Sequence, residues 1–166
     1  MPANFCSDCG TQVKTKTLDG RQRDVCPACG RVHYEVPNVG AGALIELDQK
    51  LLLVLRSIEP FAGQWNIPAG FVEVDESPAE GASREAQEET GLQVVAESLD
   101  DVYAFSDDPR GPGILIVYRC TVVGGQLSGS EEGRDVRYFS RKELPDERAG
   151  GGHDQAIAAW ARRTRS

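Results

Sequence analysis

The 23 residues from Gly70 to Leu92, GFVEVDESPAEGASREAQEETGL, constrain this chain more than any other stretch. Ser77 followed by Glu80 has the form of a capping box, and Pro78 suits the first helical position. Gly91 stands where a glycine cap ends a helix. The helix so bounded carries Glu85, Glu88 and Glu89 at i, i+3 and i+4, so three carboxylates share one face. Like charges at that spacing oppose an isolated helix. A divalent cation turns the repulsion into a site, and carboxylate oxygens suit a hard ion such as Mg2+ or Mn2+. On the other face Ala79, Ala82, Ala86 and Thr90 are small enough to pack closely on a sheet. The plain alternative is a solvated acidic helix with a few ion pairs.

A second pattern precedes it. Cys6-x-x-Cys9 and Cys26-x-x-Cys29 are separated by 16 residues, the spacing of a four-thiolate zinc ribbon. Gly10 and Gly30 permit the tight turn after each second thiol. The alternatives are two disulfides or free thiols. The N-terminus MPANFCSDCG lacks a basic-then-apolar signal, which argues against disulfides. Four ligands leave no open position, so the Zn2+ is expected to be structural, and so short a segment needs it to fold. We therefore expect a ribbon over residues 1–36 and a main domain over residues 37–166. His33 is a spare ligand at best, with a packed or surface histidine as the plainer reading. The ribbon's charges nearly balance, which makes it a weak nucleic-acid platform. A dimer contact or a lid are the other roles open to it.

Composition narrows the partners. At 166 residues the chain can bury one core with a small appendage. A net charge of −8 argues against broad nucleic-acid binding, which needs a basic face. The same charge requires bound metal to reverse the local field for an anionic substrate. No apolar run approaches the length of a membrane span, and the expectation is a soluble cytoplasmic protein.

Along the main domain, Val39 to Glu46 and Leu51 to Leu55 read as strands around a turn at Asp48-Gln49. Arg56 emerges at the end of the second, either to grip a diphosphate or to pair with an acid. Trp65 is a core or loop anchor more readily than a stacking platform, and Phe61 and Phe71 are weaker stacking candidates. Gln93 to Phe105 holds a strand with room for a second short one. Asp107 to Gly113 is a loop, and Ile114 to Val123 a strand in which Cys120 is a small buried hydrophobe. Val136 to Ser140 is the next strand. Gly150-Gly151-Gly152 reads as a flexible joint before a helix from His153 through Trp160. The basic residues beyond it, Arg162, Arg163 and Arg165, are expected to fray.

The fixed positions from Gly70 to Leu92 resemble the Nudix box throughout: Gly70, Glu76, Arg84-Glu85-Ala86, Glu88-Glu89 and Gly91-Leu92. The resemblance covers about residues 38–164. It implies an α/β/α sandwich on a mixed sheet, here behind a small N-terminal zinc ribbon. The order FCSDCG, CPACG, YEVP, LLLVLRSIEPFAGQWNIPAG is similar to zinc-ribbon Nudix hydrolases, including a plant plastid type that acts on FAD and ADP-ribose. NADH pyrophosphatases also carry a ribbon, with an SQPWPFP-like segment after the box. That place reads VVAESLDDVYAFSDDP here, which argues against NADH.

The resemblance further implies metal-dependent hydrolysis of a nucleoside diphosphate linked to another group, X. Glu85, Glu88, Glu89 and the carbonyl near Gly70 would hold Mg2+ or Mn2+. One glutamate activates the water, a role divided between Glu88 and Glu132, with Glu131 behind them. Arg84 would orient the ligands by pairing with Glu76. Arg56, Trp65 and Phe71 are the substrate-binding candidates, and Glu73 lies within reach of the metal. Dimers are frequent in the family. A nucleotide-sensing or partner-binding module without turnover is the alternative, although it has no need of an intact acidic box.

Overall fold

The computed structural model describes residues 3–130 and 133–163, with Arg134 by its backbone alone. The chain divides into two compact units, Met1–Pro37 and Asn38–Ser166. In the first, β1 (Lys14–Leu18), β2 (Arg21–Val25) and β3 (Val32–His33) form an antiparallel sheet in that order. Among its described residues only Cys6, Val25 and Cys26 are buried. That is too little apolar burial to hold a fold, so the stabilising cross-link has to come from the thiols.

The second unit contains β4 (Asn38–Leu47), β5 (Lys50–Arg56), β6 (Trp65–Asn66), β7 (Ala69–Phe71) and α1 (Pro78–Thr90). After these come β8 (Leu92–Phe105), β9 (Gly113–Gly125), β10 (Gly133–Ser140) and α2 (His153–Arg162). The sheet runs β10-β5-β4-β9-β8, with β6 beside β5 and β7 beside β4. The β4–β9 pairing is parallel and the others are antiparallel, so the sheet is mixed. Asp48 and Gln49 have φ of 47° and 66°, the left-handed pair that closes a two-residue hairpin between β4 and β5.

The apolar run of β5 is explained by burial on both faces. Leu51 and Leu53 join Leu44, Tyr103, Leu115 and α2's Ile157 and Trp160 in one core. Leu52 turns the other way and joins Ala43, Ile45, Leu92, Val94, Cys120 and α1's Ala86. A strand's period of two therefore serves two helices, one on each side of the sheet. Burial pushes the Cys120 thiol up to about 12, as fits a small core residue.

The structure corrects three expectations. Gln93 to Phe105 belongs to one continuous strand, with register shifts near Val94, Ala96 and Leu99. Its polar centre is sustained because the Asp100 carboxylate, fully buried, accepts from Arg119 at 2.9 Å and from Arg163. Arg163 is thereby tied to the sheet and does not fray; Arg165 lies outside the described residues. The triple glycine is a packed turn. A Cβ on Gly150 would lie 2.3 Å from Asp107 Oδ2, and one on Gly152, at φ 90°, 3.1 Å from Leu115. Among the described residues, no helix is long and apolar enough to cross a membrane.

Candidate active site

The helix that carries the box is held at both ends by its own sequence. Ser77 N–H donates to Glu80 Oε2 at 2.8 Å, and Glu80 N–H donates to Ser77 Oγ at 3.3 Å. At the far end Gly91, at φ 73°, donates its N–H to the Gln87 carbonyl. Gly81, Ala82, Ala86 and Thr90 are buried on the sheet side, and so is Glu89, which is 6% exposed. A carboxylate so buried needs a donor. The Ala69 N–H supplies it at 3.1 Å.

Arg84 organises the remaining acids. Its Nε and Nη2 donate to both oxygens of Glu76, at 3.0 and 2.7 Å. Its Nη1 reaches Glu85 at 2.7 Å and Glu88 at 3.1 Å, and its Nη2 also reaches the Phe71 carbonyl at 3.1 Å. One planar fork thus fixes the helix to the loop before it. Its hydrogen bonds hold the Glu76 carboxyl down at about 2 and raise the guanidinium above its ordinary value.

Glu85 leans against the box glycine: a Cβ at Gly70 would fall 2.0 Å from Glu85 Oε1. Any side chain at position 70 would displace that carboxylate. Gly70, Glu73, Glu85 and Glu89 line a cavity of about 270 Å3. The cavity also receives Ile58, Phe61, Phe71 and Phe105, and three further groups of basic type, Arg56, Arg110 and His153. Arg110 is bidentate to Asp108 at 3.0 and 2.7 Å and lies over the Phe71 ring at 4.6 Å. Asp108 is 6% exposed, and the guanidinium holds its carboxyl below the usual range.

A sequence model described as the NUDIX domain matches residues 36–160 of this chain. The chain belongs to the Nudix family. A second model, for the Nudix N-terminal zinc ribbon, matches residues 4–35. The ADP-ribose pyrophosphatase of Methanocaldococcus jannaschii is 41% identical over 113 residues, covering 68% of this chain and 67% of the relative. The NAD-capped RNA hydrolase NudC of Stutzerimonas stutzeri is 29% identical over 142 residues, covering 85% of this chain but 49% of its own length. The chain therefore spans about half of that relative. A crystal structure of a Nudix hydrolase from Nitrosomonas europaea superposes with a TM-score of 0.79 and 31% identity, over 97% of this chain and 92% of that one. With such relatives and its acidic box complete, this chain is a Nudix hydrolase.

The ribbon of this Nudix protein brings its four thiols together. The sulfurs of Cys6, Cys9, Cys26 and Cys29 lie within 4.8 Å of one another, and none is in a disulfide. Zinc–sulfur bonds of about 2.3 Å in a tetrahedron set sulfurs about 3.8 Å apart. The closest pairs here are at 3.6, 3.5 and 3.8 Å, so the donor set fits a four-thiolate Zn2+. Gly10 and Gly30 donate their N–H groups to the carbonyls of Cys6 and Cys26, which closes each knuckle. His33 is outside this cluster.

The box carboxylates are arranged differently from the thiols. Among the described residues they do not converge as a set of three. Glu85 and Glu89 face the cavity, whereas the Glu88 side chain is 60% exposed and held by Arg84. The hard oxygen donors of Glu85 and Glu89, beside the side-chain-free Gly70, fit Mg2+ or Mn2+ in chemistry. Glu131 and Glu132 lie outside the described residues.

Among the substrate-binding candidates, Arg56 and Phe71 line the cavity. Trp65 is not among the lining residues. Its ring meets Phe139 edge-on at 4.7 Å and packs on the α2-side core, so its position is that of a packing residue. Arg110, Asp108 and His153 escape a sequence reading because no local pattern marks them. They come from a turn-rich loop and a helix start, and only the tertiary fold brings them to the end of β5.

Proposed function

We propose that this chain hydrolyses the diphosphate bond of a nucleoside diphosphate linked to X, with ADP-ribose or FAD preferred over NADH. The observation that carries this reading is a single cavity lined both by Glu85 and Glu89 and by Arg56 and Arg110. Carboxylates alone would repel a diphosphate, and arginines alone would bind it without activating its cleavage. The identity to a named ADP-ribose pyrophosphatase supports the ribosyl member of the pair.

Glu85, Glu89 and the Gly70 carbonyl would hold Mg2+ or Mn2+, which when bound neutralises charge on the phosphoryl oxygens. The chain's own groups do the remainder. Arg84 fixes the direction of Glu85 and of Glu88, the exposed carboxylate that our reading pairs with Glu132 for activating water. Arg56 and Arg110 counter the charge of the diphosphate, and the half-exposed Phe71 ring, covered on one face by Arg110, offers the remainder of its surface to a planar group. In the ribbon, the four thiolates would hold one structural Zn2+.

The test is release of AMP from ADP-ribose, FAD, NADH, NAD+, diadenosine polyphosphates and nucleoside triphosphates, with and without Mg2+ or Mn2+. Metal-dependent cleavage of ADP-ribose or FAD is expected. In Glu89→Gln, kcat should fall on the order of 10²–10³-fold, while the amide oxygen still accepts from Ala69 and the fold is kept. No turnover across the panel, or full turnover in Glu89→Gln, overturns the reading.

A further inference from the structure

His153 is used by none of the chemistry above. It is the first residue of α2 and lines the same cavity as the box glutamates. The residue is only half-buried, yet its Nδ1 is buried and has no hydrogen-bond partner among the described residues. An N–H enclosed without an acceptor is disfavoured, which places the ring proton on the other nitrogen, Nε2. The ring's surroundings indicate what that N–H meets. Arg56 and Arg110 act on the ring as nearby positive charges, and Asp108 as an opposing negative charge. Asp108 and His153 also flank Gly151, at 3.6 and 3.9 Å from where its Cβ would be. Asp108 is already engaged by Arg110, and among the described residues Arg56 donates its Nε to the Pro60 carbonyl, a neutral partner. The cluster is thus cationic in a chain of net charge −8.

We propose that Arg56, Arg110 and His153 form a phosphomonoester subsite, in which His153 Nε2–H donates to a phosphoryl oxygen and the two guanidiniums supply the charge. This rests on the hydrolase reading for the source of the ligand, since cleavage of a diphosphate leaves a phosphomonoester on each side. Burial and the two arginines hold the imidazole down at about 3, so at neutral pH the ring is uncharged and one nitrogen carries a proton. A neutral donor between two cations adds direction without adding repulsion between like charges. The subsite holds a phosphoryl group during the reaction and retains a phosphomonoester after it, so one product is an inhibitor competitive with substrate.

The chain has two histidines, which gives a direct readout. The zinc-loaded full chain is labelled with 15N-histidine and kept free of added Mg2+ and Mn2+. It is then titrated with ribose 5-phosphate and, separately, with AMP. The ring nitrogens of His153 are expected to shift on saturation with at least one of them, while those of His33, in the ribbon, stay in place. A shift with ribose 5-phosphate assigns the subsite to the X side, and a shift with AMP assigns it to the nucleotide side. By calorimetry His153→Ala should weaken that ligand by about tenfold or more, and His153→Gln, whose amide can occupy the Nε2 position, should restore most of the affinity. Unmoved His153 resonances with both ligands, or an Ala variant that binds like the wild type, overturn the subsite. Because no turnover is needed, a chain that binds but does not hydrolyse would defeat the function proposed above and leave the subsite standing. Normal hydrolysis with unmoved His153 resonances would do the reverse.

Discussion

At the residue scale, His153 also makes stability depend on pH. Its folded-state pKa, held down to about 3 chiefly by burial and then by Arg56 and Arg110, lies below the ordinary histidine value near 6.5. Above that ordinary value neither state binds the proton, and the group has no effect. As pH falls below it, the unfolded chain takes up a proton that the folded chain refuses. Stability then drops by up to about 1.4 kcal/mol per pH unit, until the folded site also protonates. Carboxylates contribute little between about pH 6.5 and 5, and His33 and the ribbon thiols are common to both proteins, so the difference in urea unfolding between wild type and His153→Asn over that window isolates His153. His153→Asn is expected to flatten the dependence there, and an unchanged slope would show that the ring is free to ionise in the fold. None of this was legible in the sequence, where the residue is simply the first of a helix. Ser77, Pro78, Glu80 and Gly91, by contrast, announced their roles, because a capping box and a glycine cap act on neighbours within four residues.

Among the elements, the turn from Gly150 to Gly152 shows why composition misleads. Three glycines in a row suggest looseness, yet two of them occupy left-handed backbone, at φ 66° and 90°, and all three lie close to other groups. Gly151 also donates its N–H to Asp107 at 3.1 Å. The absent side chains allow α2 to begin against Tyr103 and Leu115 and so place His153 in the cavity. Gly152→Ala is expected to lower stability by about 1–3 kcal/mol, seen as a lower unfolding midpoint. A neutral effect would return the turn to the status of a flexible joint. The box helix was legible to its ends, and so were the flanking strands. Less legible was the distribution of its acids. Helical spacing put Glu85, Glu88 and Glu89 on one face, but burial separates them: Glu89 sinks under the Ala69 N–H, while Glu88 stays in solvent beside Arg84. Periodicity reports angle around the axis and is silent on depth.

For the whole molecule, the two units depend on different physics. The second has two apolar cores on a shared sheet. The first has almost none, and its stability has to come from the thiol cluster. Purified protein is expected to contain one zinc per chain by elemental analysis. Removal by a chelator should expose backbone amides of residues 3–37 to hydrogen exchange while those of β4, β5 and β9 stay protected. Equal protection of the ribbon after metal loss would show that it folds without zinc. The thiol cluster was legible in the sequence, because the spacing within each Cys-x-x-Cys pair is a local property. The cavity was not, since it joins Arg56, Arg110 and His153 from three distant places.

The parallel pairing of β4 with β9 has a consequence during synthesis on the ribosome. β4 runs beside β9, with Asn38 opposite Gly113 and Ile45 opposite Cys120, and a parallel neighbour cannot be supplied by a hairpin. As the chain emerges, the ribbon can close around its metal at once, and β4 and β5 can form their hairpin. The middle of the sheet must then wait, with β4 lacking one partner, until the box helix, β8 and β9 have all been made. Nascent chains halted before β9 should therefore carry every box glutamate and still have no protected sheet, which marks this interval as the one in which the protein depends most on cellular folding factors.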